Sequence, residues 1–289
     1  MTAIDQPHRI WRIIDLIQWG RPHFEERGIS NARLEIEWLL GHLLQLDRVD
    51  LYVQFERPME PDELAQFKQL VQRRTAGEPL QYIIGTAPFY GRDFKVTPAV
   101  LIPRPESEVL IEQLTRGPRP ETILDIGTGS GCLAITAALE LPGCQVTAVD
   151  ISREALAVAE DNAQTYGADN IRFEQRDILE SRPKGPFDAV LCNPPYVAED
   201  ELNTLALEVR DHEPRLALFD GSDGLKFYRR LAELLPELLS PQGRLITEFG
   251  GHHQEEKIKE IFGGAGREVT IHPDLQGDPR VAVIKVTAA

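Results

Sequence analysis

The segment Asn193-Pro194-Pro195-Tyr196 directly follows the apolar run Ala189-Val190-Leu191-Cys192. Two consecutive prolines fix the backbone and cannot donate hydrogen bonds. The carbonyl of Pro194 is thereby left as an acceptor, and the side-chain oxygen of Asn193 is a second one. Two such acceptors can hold both hydrogens of a planar –NH2 group, while Tyr196 offers a flat ring to stack on a flat amide or base. Hydrogen bonds at both N–H groups favour a pyramidal and therefore more nucleophilic nitrogen. The chemistry expected here is in-line attack by a weakly nucleophilic nitrogen. Asn193, Pro194 and Tyr196 are the candidate catalytic residues, and Asn193, Pro194, Pro195 and Tyr196 the candidate substrate contacts.

A second group of residues lies upstream. The stretch ILDIGTGSGC places Gly127, Gly129 and Gly131 at alternate positions, with Thr128 and Ser130 between them. Glycine permits positive φ and lets a ligand approach the backbone. A dinucleotide fingerprint would need glycine at position 132, which is Cys132, and pyrophosphate binding relies on the free helix N-terminus. The G-x-G-x-G form resembles the first motif of class I S-adenosylmethionine methyltransferases. Asp150 ends the next strand at the spacing of a ribose-binding acid. Asp177 ends the third strand, suited to an adenine amino group, with Ile178 beside the ring. Asp125 is open to two readings: it orients the loop from below, or it reaches the methionine amino group.

These residues need elements to position them. From about residue 106 the chain alternates strand and helix. Strands are expected at Thr122–Ile126, Gln145–Asp150, Asn170–Gln175, Phe187–Cys192, Gly243–Phe249, Glu268–His272 and Val281–Val286. Helices are expected at Gly131–Leu139, Arg153–Tyr166, Leu225–Leu239 and Gln254–Ile261. Such alternation gives a mostly parallel sheet covered on both faces. The last two strands are too close in sequence for a parallel crossover and must run antiparallel if they pair. Residues 1–76 show helical spacing at Ile10, Ile13, Ile14 and Ile17, again at Ala32, Ile36, Leu39, Leu40 and Leu43, and in a third helix opened by Pro61. Residues 77–105 are rich in Gly, Pro and aromatics and read as a β-hairpin linker, with strands at Tyr82–Ile84 and Asp93–Val96 around Gly91. The expected domains are therefore 1–76, 77–105 and 106–289.

The formal net charge of −15 speaks against a phosphate-gripping nucleic-acid binder and suits a basic protein partner. Cys132, Cys144 and Cys192 are scattered, which argues against disulfides or a zinc site and for a reducing cytoplasm. No metal is expected, since His252 and His253 are helix neighbours that cannot face one ion together. No apolar run is long enough to span a bilayer, and the opening residues lack the pattern of a signal peptide.

The segments GEPLQYIIG, FYGRDFKV, VLIPRPESE, ILDIGTGSG, VDIS, CNPPYV, HEPRLALFDGSDGL and GDPRVAVIKV together resemble the release factor glutamine methyltransferases, the PrmC/HemK family. The resemblance covers nearly the whole chain and is strongest from Gly77 onward. It implies a class I methyltransferase fold, Rossmann-like, with a seven-stranded mostly parallel sheet, an N-terminal helical-bundle domain for substrate recognition and a β-hairpin linker. It implies S-adenosyl-L-methionine as cofactor, S-adenosyl-L-homocysteine as product, and cofactor contacts at Gly127 through Gly131, Asp150, Ile178 and Asn193. The implied substrate is the glutamine of the Gly-Gly-Gln motif in class-1 peptide chain release factors, methylated at N5 by a cytoplasmic monomer. Two alternatives stay open. A sister family modifies a ribosomal protein glutamine and also carries His-Glu-Pro, as at His212-Glu213-Pro214, although Pro105-Glu106 favours the release-factor branch. An adenine-N6 methyltransferase would use the same tetrapeptide, but the acidic balance disfavours it.

Overall fold

The structure is a computed structural model that describes residues 10–264 and 266–286. The reading of the opening residues rests in part on 1–9, which lie outside the described residues. The chain forms two compact units, one ending at Ile84 and the other starting at Gly85.

The first unit is helical: α1 (Ile13–Glu25), α2 (Ala32–Leu44), α3 (Arg48–Val53), α4 (Pro61–Thr75) and α5 (Leu80–Ile84). Its core gathers Trp11, Phe24, Ile36, Leu39 and Phe67. Helix α4 starts as its sequence dictates. Pro61 sits at the first turn, and Glu60 and Glu63 cap each other reciprocally. One expectation fails here. Tyr82–Ile84 is not a strand but the end of α5. The amides of Tyr82 and Ile83 both donate to the Pro79 carbonyl, at 3.1 and 3.2 Å. Leu80 and Ile83, three apart, enter the same core. A short apolar run reads alike as strand or helical turn, and burial of one helical face decides it.

The second unit opens with a hairpin of β1 (Thr86–Phe89) and β2 (Arg92–Lys95). Its two-residue turn, Tyr90-Gly91, has φ of 49° and 73°, the left-handed pair that matches strand twist. Phe89 and Phe94 face the core of this unit. Then follow α6 (Glu108–Arg116), β3 (Thr122–Ile126), α7 (Cys132–Glu140), β4 (Gln145–Asp150), α8 (Arg153–Tyr166), β5 (Ile171–Gln175) and β6 (Phe187–Cys192). After the short helices α9 (Leu207–His212) and α10 (Arg215–Leu218) come α11 (Lys226–Leu238), β7 (Leu239–Glu248), α12 (His252–Phe262), β8 (Arg267–Pro273) and β9 (Pro279–Val286).

The seven-stranded sheet has the order β5-β4-β3-β6-β7-β9-β8. Pairings are parallel from β5 to β7 and antiparallel at β7–β9 and β8–β9. Central strands are near-continuous apolar runs because both faces are covered. Leu124, Val190, Leu191, Leu245 and Ile246 are fully buried, each worth roughly 1.5–3 kcal/mol of burial. The chain leaves β3 toward β4 and β5 on one side, and later fills β6 and β7 on the other. The strand order therefore reverses between β3 and β6, where the carboxyl ends of open α/β sheets bind ligands. Ile126 registers with Cys192 across that pair, so Gly127 and Asn193 leave the sheet side by side.

Candidate active site

A cavity of about 540 Å3 lies at the carboxyl ends of β3 to β6, within the size range of small-molecule sites. Gly127 and Gly129 line it, with φ of 72° and 55°. A Cβ built on either would meet nothing closer than 4.0 Å, so their absent side chains leave space open to a ligand. Gly131 differs. It does not line the cavity, and a Cβ there would stand 2.9 Å from Ile135 Cδ1 and 3.0 Å from Ala159 Cβ. That glycine lets α7 and α8 approach.

Asp150 and the loop are joined. The Asp150 carboxylate accepts from the Gly129 amide and from the Ser152 amide, both at 2.9 Å. Burial pushes its pKa up, against the pull of those amides. A carboxylate has about four acceptor positions, so two remain for hydroxyl groups of a ligand. Asp177 and Ile178 also line the cavity, with Asp177 capping the next turn through the Leu179 amide at 2.8 Å. Thr128 and Ser130 are buried and off the cavity. The Thr128 hydroxyl donates to Asp125 Oδ2 at 2.6 Å, and the Ser130 carbonyl accepts from Asn162 Nδ2 at 2.8 Å. Asp125 thus sits beneath the loop, its pKa raised to about 7 by burial.

Asn193, Pro194 and Pro195 line the same cavity on its β6 side. Among the described residues no donor reaches the Pro194 carbonyl. Tyr196 does not line the cavity. Its ring packs against the core formed by β6, β7 and α11, and its hydroxyl donates to Glu248 Oε1 at 3.3 Å. The Tyr196 carbonyl accepts from Gln254 Nε2 at 2.9 Å. Asn193 Nδ2 donates to Ser107 Oγ at 2.9 Å, and the Ser107 hydroxyl donates to Glu248 Oε2. Glu248 is buried, and desolvation raises its pKa to about 7.

Comparison with known proteins decides the family. Residues 15–85 match the PrmC N-terminal domain, and residues 105–210 match the Methyltransferase small domain. The chain is 47% identical over 258 residues to a Release factor glutamine methyltransferase of Geobacter sulfurreducens, covering 89% of this chain and 90% of that one. The chain belongs to the release factor glutamine methyltransferases. A relative of the same name from Chlorobaculum tepidum is 41% identical over 280 residues, covering 92% of this chain and 94% of its own. Among solved structures, a methyltransferase from Pyrococcus furiosus shares the fold, with a TM-score of 0.53 at 23% identity, over 70% of this chain and 91% of that one.

In this member of the release factor glutamine methyltransferases, several residues around the tetrapeptide escaped sequence reasoning. Ser107 and Glu248 lie 141 positions apart and meet only in the fold. Gln254 follows two histidines that read as surface residues; it is buried beneath them. Glu213 is buried and accepts from the Ile102 amide at 3.1 Å and from the Arg104 guanidinium. It ties the IPRPE segment to the HEPRLALF segment, both of which line the cavity through neighbouring residues. The sequence signal was present in those two segments, yet it specified no partner for any of the four.

Proposed function

We propose that this enzyme transfers a methyl group from S-adenosyl-L-methionine to the side-chain N5 of the glutamine in the Gly-Gly-Gln motif of class-1 peptide chain release factors. The observation that carries this reading is the pairing of two open acceptors, Pro194 O and the Asn193 amide oxygen, with the glycine-lined cavity across the β3–β6 switch point. Gly127, Gly129, Asp150, Asp177 and Ile178 would hold the cofactor, and the space over the two glycines fits such a ligand. When bound, the cofactor supplies an electrophilic methyl on a sulfonium and leaves as S-adenosyl-L-homocysteine.

The residues of the chain do the rest by placement. Asn193 and Pro194 each accept one N–H of the target amide, which fixes its rotation and favours a nucleophilic lone pair. Orientation of this kind is worth on the order of 7–11 kcal/mol. Fixed acceptors also stabilise positive charge developing on nitrogen, with no reorganisation at the moment of reaction, and the methylated nitrogen then releases one of its two protons to solvent to give the neutral amide. No step of this account calls on a metal. The helical unit, residues 1–84, would serve recognition of the protein substrate. The net charge of −15 suits a basic protein loop better than nucleic acid. Among the described residues no helix is long and apolar enough to cross a membrane. The free cysteines Cys132, Cys144 and Cys192 suit a reducing cytoplasm, where we place the enzyme, acting as a monomer.

The test is incubation with S-adenosylmethionine and a class-1 release factor, followed by peptide mass spectrometry. One added methyl on the Gly-Gly-Gln glutamine is expected. An unmodified glutamine, with methyl found instead on a ribosomal protein or on adenine, would sink the assignment.

A further inference from the structure

We propose that Glu248 is a positioning residue that sets, through the Ser107 hydroxyl, which end of the Asn193 amide meets the reacting nitrogen. The inference rests on the functional reading above and adds to it the device that gives Asn193 its polarity.

The argument is one of donors and acceptors. Glu248 is the last residue of β7 and is 1% exposed. One carboxylate oxygen accepts from Ser107 Oγ and the other from the Tyr196 hydroxyl. Above its raised pKa of about 7 the carboxyl is ionised and can only accept, so the single hydroxyl proton of Ser107 is then committed to it. Ser107 then has only lone pairs left for Asn193 and must accept from Nδ2, as it does at 2.9 Å. That contact fixes the amide. Its NH2 end is held by Ser107, and its oxygen is the end left for a ligand in the cavity that Asn193 lines. Ser107 itself is 3% exposed, so water does not compete for the link.

Reversing the polarity of the first member reverses the last. A donor at position 248 would bond to the Ser107 oxygen, and the freed hydroxyl proton would turn to Asn193. The amide would then flip, presenting N–H groups to the N–H groups of the target. Other groups face Glu248. The Tyr228 hydroxyl donates to its backbone carbonyl at 2.9 Å, while Arg280 favours and Glu106 opposes its charge. None of these stands between Ser107 and Asn193. The same carboxylate therefore holds both ends of the tetrapeptide, Asn193 through Ser107 and Tyr196 directly.

A double-mutant cycle tests the relay on the full-length enzyme with S-adenosylmethionine and a release factor. Glu248→Gln and Ser107→Ala should each lower kcat by about 10- to 100-fold, as expected for a misplaced reacting group. KM for the release factor and cofactor affinity should change little. In the Asn193→Ala background, Ser107→Ala should lower kcat no further, because the residue it orients is gone. A full multiplicative loss in that background would overturn the proposal, as would wild-type kcat in both single variants. If Glu248→Gln does not fold, Ser107→Ala carries the same cycle. A second readout needs no substrate: the side-chain amide resonance of Asn193, identified by its loss in Asn193→Ala. Its protons should resist exchange in the wild type and lose that protection in Ser107→Ala. Equal exchange rates overturn the relay. If the wild type leaves the release factor unmodified, the functional reading falls while this measurement still decides the polarity.

Discussion

A Cβ placed on Gly224 would stand 2.3 Å from the carbonyl oxygen of Tyr196. The backbone of the DGSDGL segment thus lies directly against the Asn193–Tyr196 tetrapeptide. Gly224 also has φ of 76°, which side chains rarely adopt. Gly224→Ala should push the tetrapeptide off its position and lower kcat by about 100-fold or more. Steady-state kinetics beside a thermal melt would check this. Normal turnover in a folded variant would show that the close approach has no bearing on the reaction.

Asp150→Ala should weaken cofactor binding. Charge-assisted hydrogen bonds are worth about 1.5–3 kcal/mol, so the Kd for S-adenosylmethionine should rise by about 10- to 100-fold. The variant also frees the Gly129 amide that Asp150 holds. Calorimetry is the measurement, and an unchanged Kd would remove Asp150 from the cofactor site.

Asn193 separates binding from turnover. Asn193→Ala should lower kcat by about 10²–10³-fold, the usual loss for one preorganised polar contact. Asn193→Asp keeps an acceptor and nearly the shape, but it adds a charge and cannot donate to Ser107. It should bind the cofactor near normally and still turn over slowly. If Asn193→Ala kept wild-type kcat, the tetrapeptide mechanism would be wrong even with the family unchanged.

Stability should depend on pH through the buried acids. Asp125 and Glu248 have pKa values raised to about 7 by burial, from 3.8 and 4.5. Between those limits the folded state binds more protons than the unfolded one. Stability therefore falls as pH rises through the window from about 4 to 7, and these acids add no further loss above it. Each unit of raised pKa is about 1.4 kcal/mol, so the loss per acid is on the order of a few kcal/mol. Urea midpoints of wild type and Asp125→Asn between pH 5 and 8 check this. The variant should show the shallower slope, and parallel slopes would contradict the assignment.

The two units should divide their tasks. Each has its own hydrophobic core. A chain beginning at Gly85 should keep affinity for S-adenosylmethionine and methylate an intact release factor poorly. Full activity on that substrate would argue against a recognition role for the helical unit.

Much of this architecture was legible because local pattern and global fold agree. β3, β4, β6 and α8 occupy the ranges that periodicity predicts. Their ends carry strong punctuation: glycines after Ile126, Ser152 capping α8 through the Ala155 amide, and prolines after Asn193. Elsewhere marks were present but did not fix the elements: Pro105 precedes α6, and Pro241 and Gly243 lie inside β7. α6 runs on directly from the Pro105–Ser107 turn, and β7 follows α11 with no intervening loop. The antiparallel pairing of β8 and β9 followed from loop length alone. The residues that grip the site were hidden for another reason. Ser107, Glu213 and Glu248 act through contacts 52 or more positions away, and spacing along a chain carries no information about such partners. Tyr196 was visible by type, but its hydroxyl turns to Glu248, a choice made by packing around β7.

The separations within the Asn193 network also bear on how the enzyme comes into being. Ser107 precedes Asn193 by 86 positions, and Glu248 follows Tyr196 by 52. Contacts that distant form late, after loop closure has been overcome. During synthesis the glycine loop and the tetrapeptide emerge well before β7, the strand that ends in Glu248. A nascent or half-folded chain therefore has every residue of the tetrapeptide without the clamp that orients it. Full turnover therefore awaits the docking of β7 beside β6, and the rate of methyl transfer reports how far that part of the sheet has assembled.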